Sequence, residues 1–191
     1  MSLQGDVSEH VEAMATALRN SGRQGKVSLL RRPKDVDTVD AAAIPGGEST
    51  TISRLLVKSG LFDSLQKRGQ QGMPILGTCA GCILLSKDAG EEGVKTETRL
   101  LGLMDMSVDR NAFGRQRESF EASLTIEGFN KPFRGVFIRA PAIIRVWGEC
   151  KPLSKLGEHI VLASQGSLIG ATFHPELAGD TRLHEWFLSL V

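Results

Sequence analysis

Several things are scarce in this sequence of 191 residues, and each scarcity removes a class of function. No apolar stretch is long enough to cross a bilayer, and no secretory signal opens the chain, so neither a membrane span nor export is expected. Net charge is only +1, with no long run of one sign, which gives no support to binding nucleic acid or an anionic membrane. The three cysteines, Cys79, Cys82 and Cys150, are an odd and sparse set for a disulfide scaffold. They fit a reducing, cytoplasmic compartment. Cys79 and Cys82 form C-x-x-C, but no second cysteine pair or histidine pair at ligand spacing accompanies them, so no metal site is expected. Internal repeats, low-complexity tracts and interdomain linkers are also lacking. What is present is the profile of an ordinary globule, 41% apolar and 24% charged, of a size that suits one domain with a substantial core.

The most informative stretch is Gly77-Thr78-Cys79-Ala80-Gly81. Pro74-Ile75-Leu76 ahead of it reads as a short buried strand, and Cys82-Ile83-Leu84-Leu85-Ser86-Lys87 after it as an apolar helix. A cysteine where a strand turns abruptly into a helix has the layout of a nucleophile elbow with sulfur in place of oxygen. The glycines let the turn close without side chains colliding. Unpaired N–H groups at the helix start favour negative charge, both on sulfur and on an oxyanion formed after attack. A cysteine in an apolar segment is also compatible with simple packing, and that is the reading for Cys82, which sits among Ile83, Leu84 and Leu85.

Along the rest of the chain, Val7, Val11, Met14 and Leu18 fall at helical spacing after an Asp6 cap, and Gly22 ends that helix. His10, near its start, reads as a partly exposed surface histidine. Val27 to Leu30 reads as a strand, and Ala41 to Ile44 as a buried strand of a parallel sheet. The loop Pro45-Gly46-Gly47-Glu48-Ser49-Thr50 leads into a helix that Gly60 stops, and a second helix ends at Gly69. The paired glycines form a candidate anion nest, but no P-loop, because the Gly-Lys-Ser/Thr ending is missing. Residues 88 to 99 read as loop. Strands are expected over Leu103–Val108, Ser119–Ile126, Val136–Arg139, Ile160–Ala163 and Leu168–Phe173, with a hairpin turn at Gln165-Gly166-Ser167. A last helix from Asp180 turns Leu183, Trp186, Phe187 and Leu190 to the core. The fold class is therefore α/β: three layers, a mainly parallel sheet flanked by helices, with an antiparallel extension. In such sheets a site lies beyond the carboxyl ends of the strands, where both Gly46-Gly47 and Cys79 fall.

A cysteine nucleophile needs a base. Of His10, His159, His174 and His184, only His174 follows an expected strand directly, and Pro175 stops that strand from continuing. Glu176, two residues on, can orient the imidazole.

Together, Gly77-Thr78-Cys79-Ala80-Gly81 and His174-Pro175-Glu176 resemble the motifs of class I, triad-type glutamine amidotransferases. Pro45 to Thr51, Arg110-Asn111-Ala112-Phe113-Gly114-Arg115-Gln116, Phe137-Ile138-Arg139-Ala140-Pro141 and Leu3-Gln4-Gly5-Asp6-Val7 narrow the resemblance to the family of glutaminase subunits of pyridoxal 5′-phosphate (PLP) synthase, with a flavodoxin-like fold. The resemblance spans nearly the whole chain. It implies that Cys79 is the nucleophile, His174 the general acid/base and Glu176 its orienter. It implies a glutamine site lined by Gly47, Glu48, Ser49, Arg110, Ile138 and Arg139, with an oxyanion hole at Gly47 and Ala80. L-Glutamine would be the substrate. The partner would be a synthase subunit of barrel fold, in a hetero-oligomer, that receives ammonia; PLP would be that partner's product, so no cofactor is expected here. Residues 1–191 then form one glutaminase domain, with one departure. Such proteins begin with an apolar strand before Leu-Gln-Gly, whereas only Met1-Ser2 precede Leu3 here, so a gap in the sheet beside the site is expected. A triad glutaminase serving another synthase, and a non-catalytic regulatory subunit on the same scaffold, are the alternatives.

Overall fold

The computed structural model describes residues 7–112 and 119–191. The Leu3-Gln4-Gly5 loop, the Asp6 cap and the stretch from Phe113 to Gln116 lie outside them. In chain order the first half runs α1 (Val7–Asn20), α2 (Pro33–Val36), β1 (Ala42–Ile44), α3 (Ser49–Ser59), α4 (Leu61–Gln70), β2 (Ile75–Thr78), α5 (Ala80–Leu85), β3 (Ser86–Asp88) and α6 (Gly90–Lys95). The second half runs β4 (Met104–Asp109), β5 (Ser119–Leu124), β6 (Phe133–Ile138), β7 (Ala142–Val146), β8 (Lys151–Leu156), β9 (His159–Gln165), β10 (Leu168–Ala171), a 3-10 turn (Pro175–Leu177) and α7 (Arg182–Leu188).

The main sheet has the order β1-β2-β10-β9-β7-β4-β3, with β8 added beside β9. The strands β1, β2 and β10 run parallel, and the chain then turns back through the expected hairpin, pairing Leu168 with Gln165. Antiparallel pairings continue the sheet as far as β4, which β3 joins in parallel, and β5 and β6 form a separate two-stranded ribbon. In β2 and β10 every residue is buried, as strands covered on both faces require. Alternate residues feed two cores. Ile75 and Leu168 pack with Ile52, Leu56, Leu65 and Leu84 of α3, α4 and α5. Leu76 and Ile169 pack with Met14 of α1, Phe173, and Leu183 and Phe187 of α7. Two cores on opposite faces of one sheet are the expected three layers.

Three local expectations are corrected. Residues 88–99 are not all loop: the Asp88 carboxylate accepts from the Gly90 N–H at 2.9 Å and starts α6. Ser86 and Lys87 do not continue the helix after the cysteine turn but open the strand β3, and β7 and β8 are further short strands beyond those expected. Val27 to Leu30 is no strand and joins no ladder among the described residues. Instead a cavity of about 860 Å³ lies along the outer side of β1, lined by Val27 to Leu30, Ala41 to Ala43 and the α1 side chains Val11 and Met14. No helix among the described residues is long and apolar enough to cross a membrane.

Candidate active site

The ladder of β2 ends at Thr78 and α5 begins at Ala80, leaving Cys79 alone in the bend. Its backbone sits at φ 48°, ψ −104°, a region that costs a residue with a Cβ about 1–3 kcal/mol. Neighbours hold it there: the Cys79 N–H donates to the Ala171 carbonyl of β10 at 2.8 Å, and the Ile83 N–H donates to the Cys79 carbonyl at 3.3 Å. The two flanking glycines are needed for room. A Cβ on Gly81 would lie 2.1 Å from the Ile44 carbonyl oxygen, and one on Gly77 would lie 2.5 Å from the Gly81 carbonyl oxygen. That contact also shows that the end of β1, and with it the Pro45-Gly46-Gly47 turn, abuts the elbow.

All three cysteines are free thiols. Cys79 is 7% exposed, whereas Cys82 is wholly buried. Burial, with Cys79 and Cys150 nearby, pushes the Cys82 thiol far above its ordinary range, so it stays protonated and packs.

His174 follows β10 on the strand adjacent to β2, and its N–H is fixed by the Val136 carbonyl of β6 at 2.8 Å. Pro175 opens the 3-10 turn, which curls Glu176 back beneath the ring. The imidazole Nδ1 lies 2.8 Å from Glu176 Oε1, and both side chains are buried, at 4% and 0% exposure. Burial lowers the basicity of His174, but hydrogen bonds to Cys79 and Glu176, with the charges of both, outweigh it and raise the pKa to about 10. Since Nδ1 is engaged by the carboxylate, the bond to sulfur falls to Nε2. Cys79, His174 and Glu176, scattered along the sequence, thus meet in one place.

The glutamine-site candidates form a second group. Gly47 adopts φ 135°, open to glycine alone, and delivers Glu48 to the start of α3. The Glu48 carboxylate accepts from the N–H groups of Thr50 at 2.9 Å and Thr51 at 2.6 Å. Burial opposes its ionisation, but the Thr51 hydroxyl and these N–H donors win and lower its pKa to about 2. Arg110, at the end of β4, reaches this loop: its guanidinium donates to Ser49 Oγ, to Glu48 Oε1 at 3.2 Å and to Thr96 Oγ1 at 2.9 Å. Ile138 joins the cysteine instead, its carbonyl 4.0 Å from Sγ. Arg139 follows at φ 41° and is exposed.

A profile described as the SNO glutamine amidotransferase family matches residues 1–191. The chain belongs to this family. It is 51% identical over 189 residues to a pyridoxal 5'-phosphate synthase subunit PdxT of Thermococcus gammatolerans, covering 98% of this chain and 95% of that protein. It is 50% identical over 191 residues to a protein of the same name from Methanocella arvoryzae, covering 100% of this chain and 95% of that one. A crystal structure of a glutamine amidotransferase, 42% identical, superposes with a TM-score of 0.87 over 100% of this chain and 96% of its own.

One residue of this amidotransferase site escaped the sequence reading. His10 is not a surface histidine. It is 5% exposed, with Nε2 2.8 Å from Thr78 Oγ1 and 3.3 Å from Glu176 Oε2. The signal was in the spacing: position 10 lies three residues after Val7 and four before Met14, on the apolar stripe of α1.

Proposed function

We propose that this chain is the glutaminase subunit of a pyridoxal 5′-phosphate synthase, hydrolysing L-glutamine to L-glutamate and ammonia for use by a synthase partner in vitamin B6 biosynthesis. Cys79 is the nucleophile, His174 the general acid/base and Glu176 the residue that orients it. With its pKa raised to about 10, His174 already holds the proton at Nε2 beside sulfur, and sulfur attacks the side-chain amide carbon from that ion pair. The oxyanion that forms lies toward the backbone N–H groups of Gly47 and Ala80, the latter unpaired in the first turn of α5. His174 then returns the proton to the departing nitrogen, which leaves as ammonia, and a γ-glutamyl thioester remains on Cys79. Water attacks the thioester, its proton passing to His174, and glutamate is released with the sulfur–imidazolium pair restored. Glu176 holds the ring in place and stabilises its cation through each cycle.

Gly47, Glu48, Ser49, Arg110, Ile138 and Arg139 hold the substrate, with the guanidinium fork of Arg110 suited to a carboxylate. The partner is a barrel-fold synthase subunit in a hetero-oligomer, and PLP is made there; this chain binds no cofactor in the reaction.

What supports the reading above all is the hydrogen bonding of one imidazole to both the Cys79 thiol and the Glu176 carboxylate on neighbouring strand ends. The test is ammonia release from glutamine, with and without the synthase partner. Cys79→Ala is expected to lose at least about three orders of magnitude in rate while folding normally, and Cys82→Ala to keep most of it. Equal loss in both folded variants would contradict the assignment.

A further inference from the structure

We infer that His10 is a positioning residue for this reaction: from α1 it holds the Glu176 carboxylate in line with His174 and ties it to Thr78, the residue before the nucleophile. The inference rests on the proposed triad.

The geometry at Nε2 carries it. Two oxygens face this one nitrogen, Thr78 Oγ1 at 2.8 Å and Glu176 Oε2 at 3.3 Å. Thr78 takes the hydrogen bond, and Glu176 Oε2 lies off its line, in charge contact with the same nitrogen. An unprotonated Nε2 would set its lone pair against a carboxylate, so Nε2 carries the proton and donates it to Thr78. The two Glu176 oxygens then meet two rings, Oε1 hydrogen-bonded to His174 and Oε2 in electrostatic contact with the N–H edge of His10. That contact favours one orientation of a carboxylate which, bonded at Oε1 alone, can swing about its bond to the chain. The third contact makes the arrangement a brace, because Thr78 closes β2 directly before Cys79. One ring on α1 thus touches both the acidic end of the relay and the backbone that carries the sulfur.

Charge supports the same role. Burial, followed by the nearby His184 and His174, lowers the His10 pKa to about 3, so the ring is neutral near pH 7. A cation at this position would compete with the His174 imidazolium for the one buried carboxylate. A neutral donor fixes the carboxylate and leaves its charge to His174. The titratable groups around His174 are Cys79 at the elbow, Glu176 on its own turn and His10 from α1, with His184 of α7 packed edge-on against His10 at 5.9 Å. The ribbon strand β6 contributes the Val136 carbonyl to this surround.

The experiment compares His10→Gln, His10→Phe and His10→Ala in the full chain with its synthase partner, after Cys79→Ala has been shown to abolish turnover. Glutamine puts an amide N–H where Nε2 stood; phenylalanine fills the space without a donor. We expect His10→Phe and His10→Ala to lower kcat on the order of 10–100-fold, the range typical of groups that orient a reacting side chain, with KM for glutamine within about twofold. The alkaline limb of the kcat/KM profile should shift to lower pH in both, because a loosened Glu176 supports the His174 cation less. His10→Gln should restore most of the rate and the limb. A wild-type rate and limb in folded His10→Phe would overturn the inference, as would a folded His10→Gln as slow as His10→Phe. Turnover by Cys79→Ala would instead defeat the triad reading beneath it.

Discussion

Arg110 spends its donors on the start of α3, bonding Ser49 and Glu48, and on Thr96 just past α6, from a side chain only 13% exposed. A guanidinium fixed by several acceptors is preorganised, so a carboxylate that approaches it meets an aimed fork rather than a flexible chain. If Arg110 holds the substrate and takes no part in proton transfer, truncating it should act on binding. Arg110→Ala is expected to raise KM for glutamine by about tenfold or more with a much smaller change in kcat, as steady-state kinetics will read. Arg110→Lys keeps the charge but loses the fork, and should fall nearer to alanine than to wild type. A kcat loss with unchanged KM would move Arg110 out of the binding role. At the same scale, Cys79 and Cys82 show how three residues separate the proposed nucleophile from a packing group. One sits in the bend beside an imidazole; the other is wholly enclosed, its sulfur 3.2 Å from where a Cβ on Gly170 would lie.

At the scale of elements, the elbow depends on a helix start pressed against the end of β1. Gly81→Ala isolates that contact. In an ordinary helix this exchange gains up to about 1 kcal/mol. Here the new methyl would lie 2.1 Å from a backbone carbonyl, an atom that cannot swing aside. The substitution is therefore expected to destabilise by about 1–3 kcal/mol and to depress activity by displacing Cys79, measured by denaturant unfolding and glutaminase rate. A gain in stability would show that β1 and α5 are not locked as described. The same element boundaries explain what was legible in the sequence. Gly77 to Gly81 could be read because a strand, a tight turn and a helix each leave a local signature. The helix from Ser49 could be read because Gly60 ends it at φ 72°. Three strands could not. β3 is only Ser86-Lys87-Asp88, too short and polar for a pattern. β8 contains Pro152 and two lysines, and is tolerated because, among the described residues, it pairs only with β9 and its other edge meets no strand. β7 has no clean alternation, its burial running from two buried residues to two exposed ones. Val27 to Leu30 misled in the opposite sense, since strand-like composition without an adjacent edge makes no ladder. The burial of His10 was written in the spacing of α1, but its partners Thr78 and Glu176 required knowing that α1 packs on the turn after β10, a tertiary fact that its own helix does not contain.

For the whole molecule, buried histidines set the pH range of stability. His10 and His184 are pulled down from 6.5 to about 3 and about 4, burial being the main cause for each. Neither ring nitrogen of His184 has a hydrogen-bond partner among the described residues. The unfolded chain therefore binds more protons than the folded one below pH 6.5, and stability falls as pH falls, by up to about 1.4 kcal/mol per pH unit for each ring until its folded pKa is reached. Glu48, lowered from 4.5 to about 2, adds to the loss in the same direction below pH 4.5. His174 works from the other side. Its pKa is raised to about 10, so its contribution is complete below 6.5 and is lost as pH rises toward 10. Urea unfolding from pH 4 to 10 should thus show greatest stability near pH 6.5. His184→Leu should flatten the acid limb, and His174→Gln the alkaline one. An acid limb unchanged in His184→Leu would mean that this ring does not drive it.

The pairing of β2 with β10 has a further consequence. Cys79 directly follows β2 and His174 lies three residues past the end of β10, so the backbones that carry sulfur and imidazole are anchored on two adjoining parallel strands about 4.8 Å apart. Separating those anchors would tear the middle of the sheet. The strand ends that carry Arg110 and Arg139 belong to other pairings and are free of that constraint.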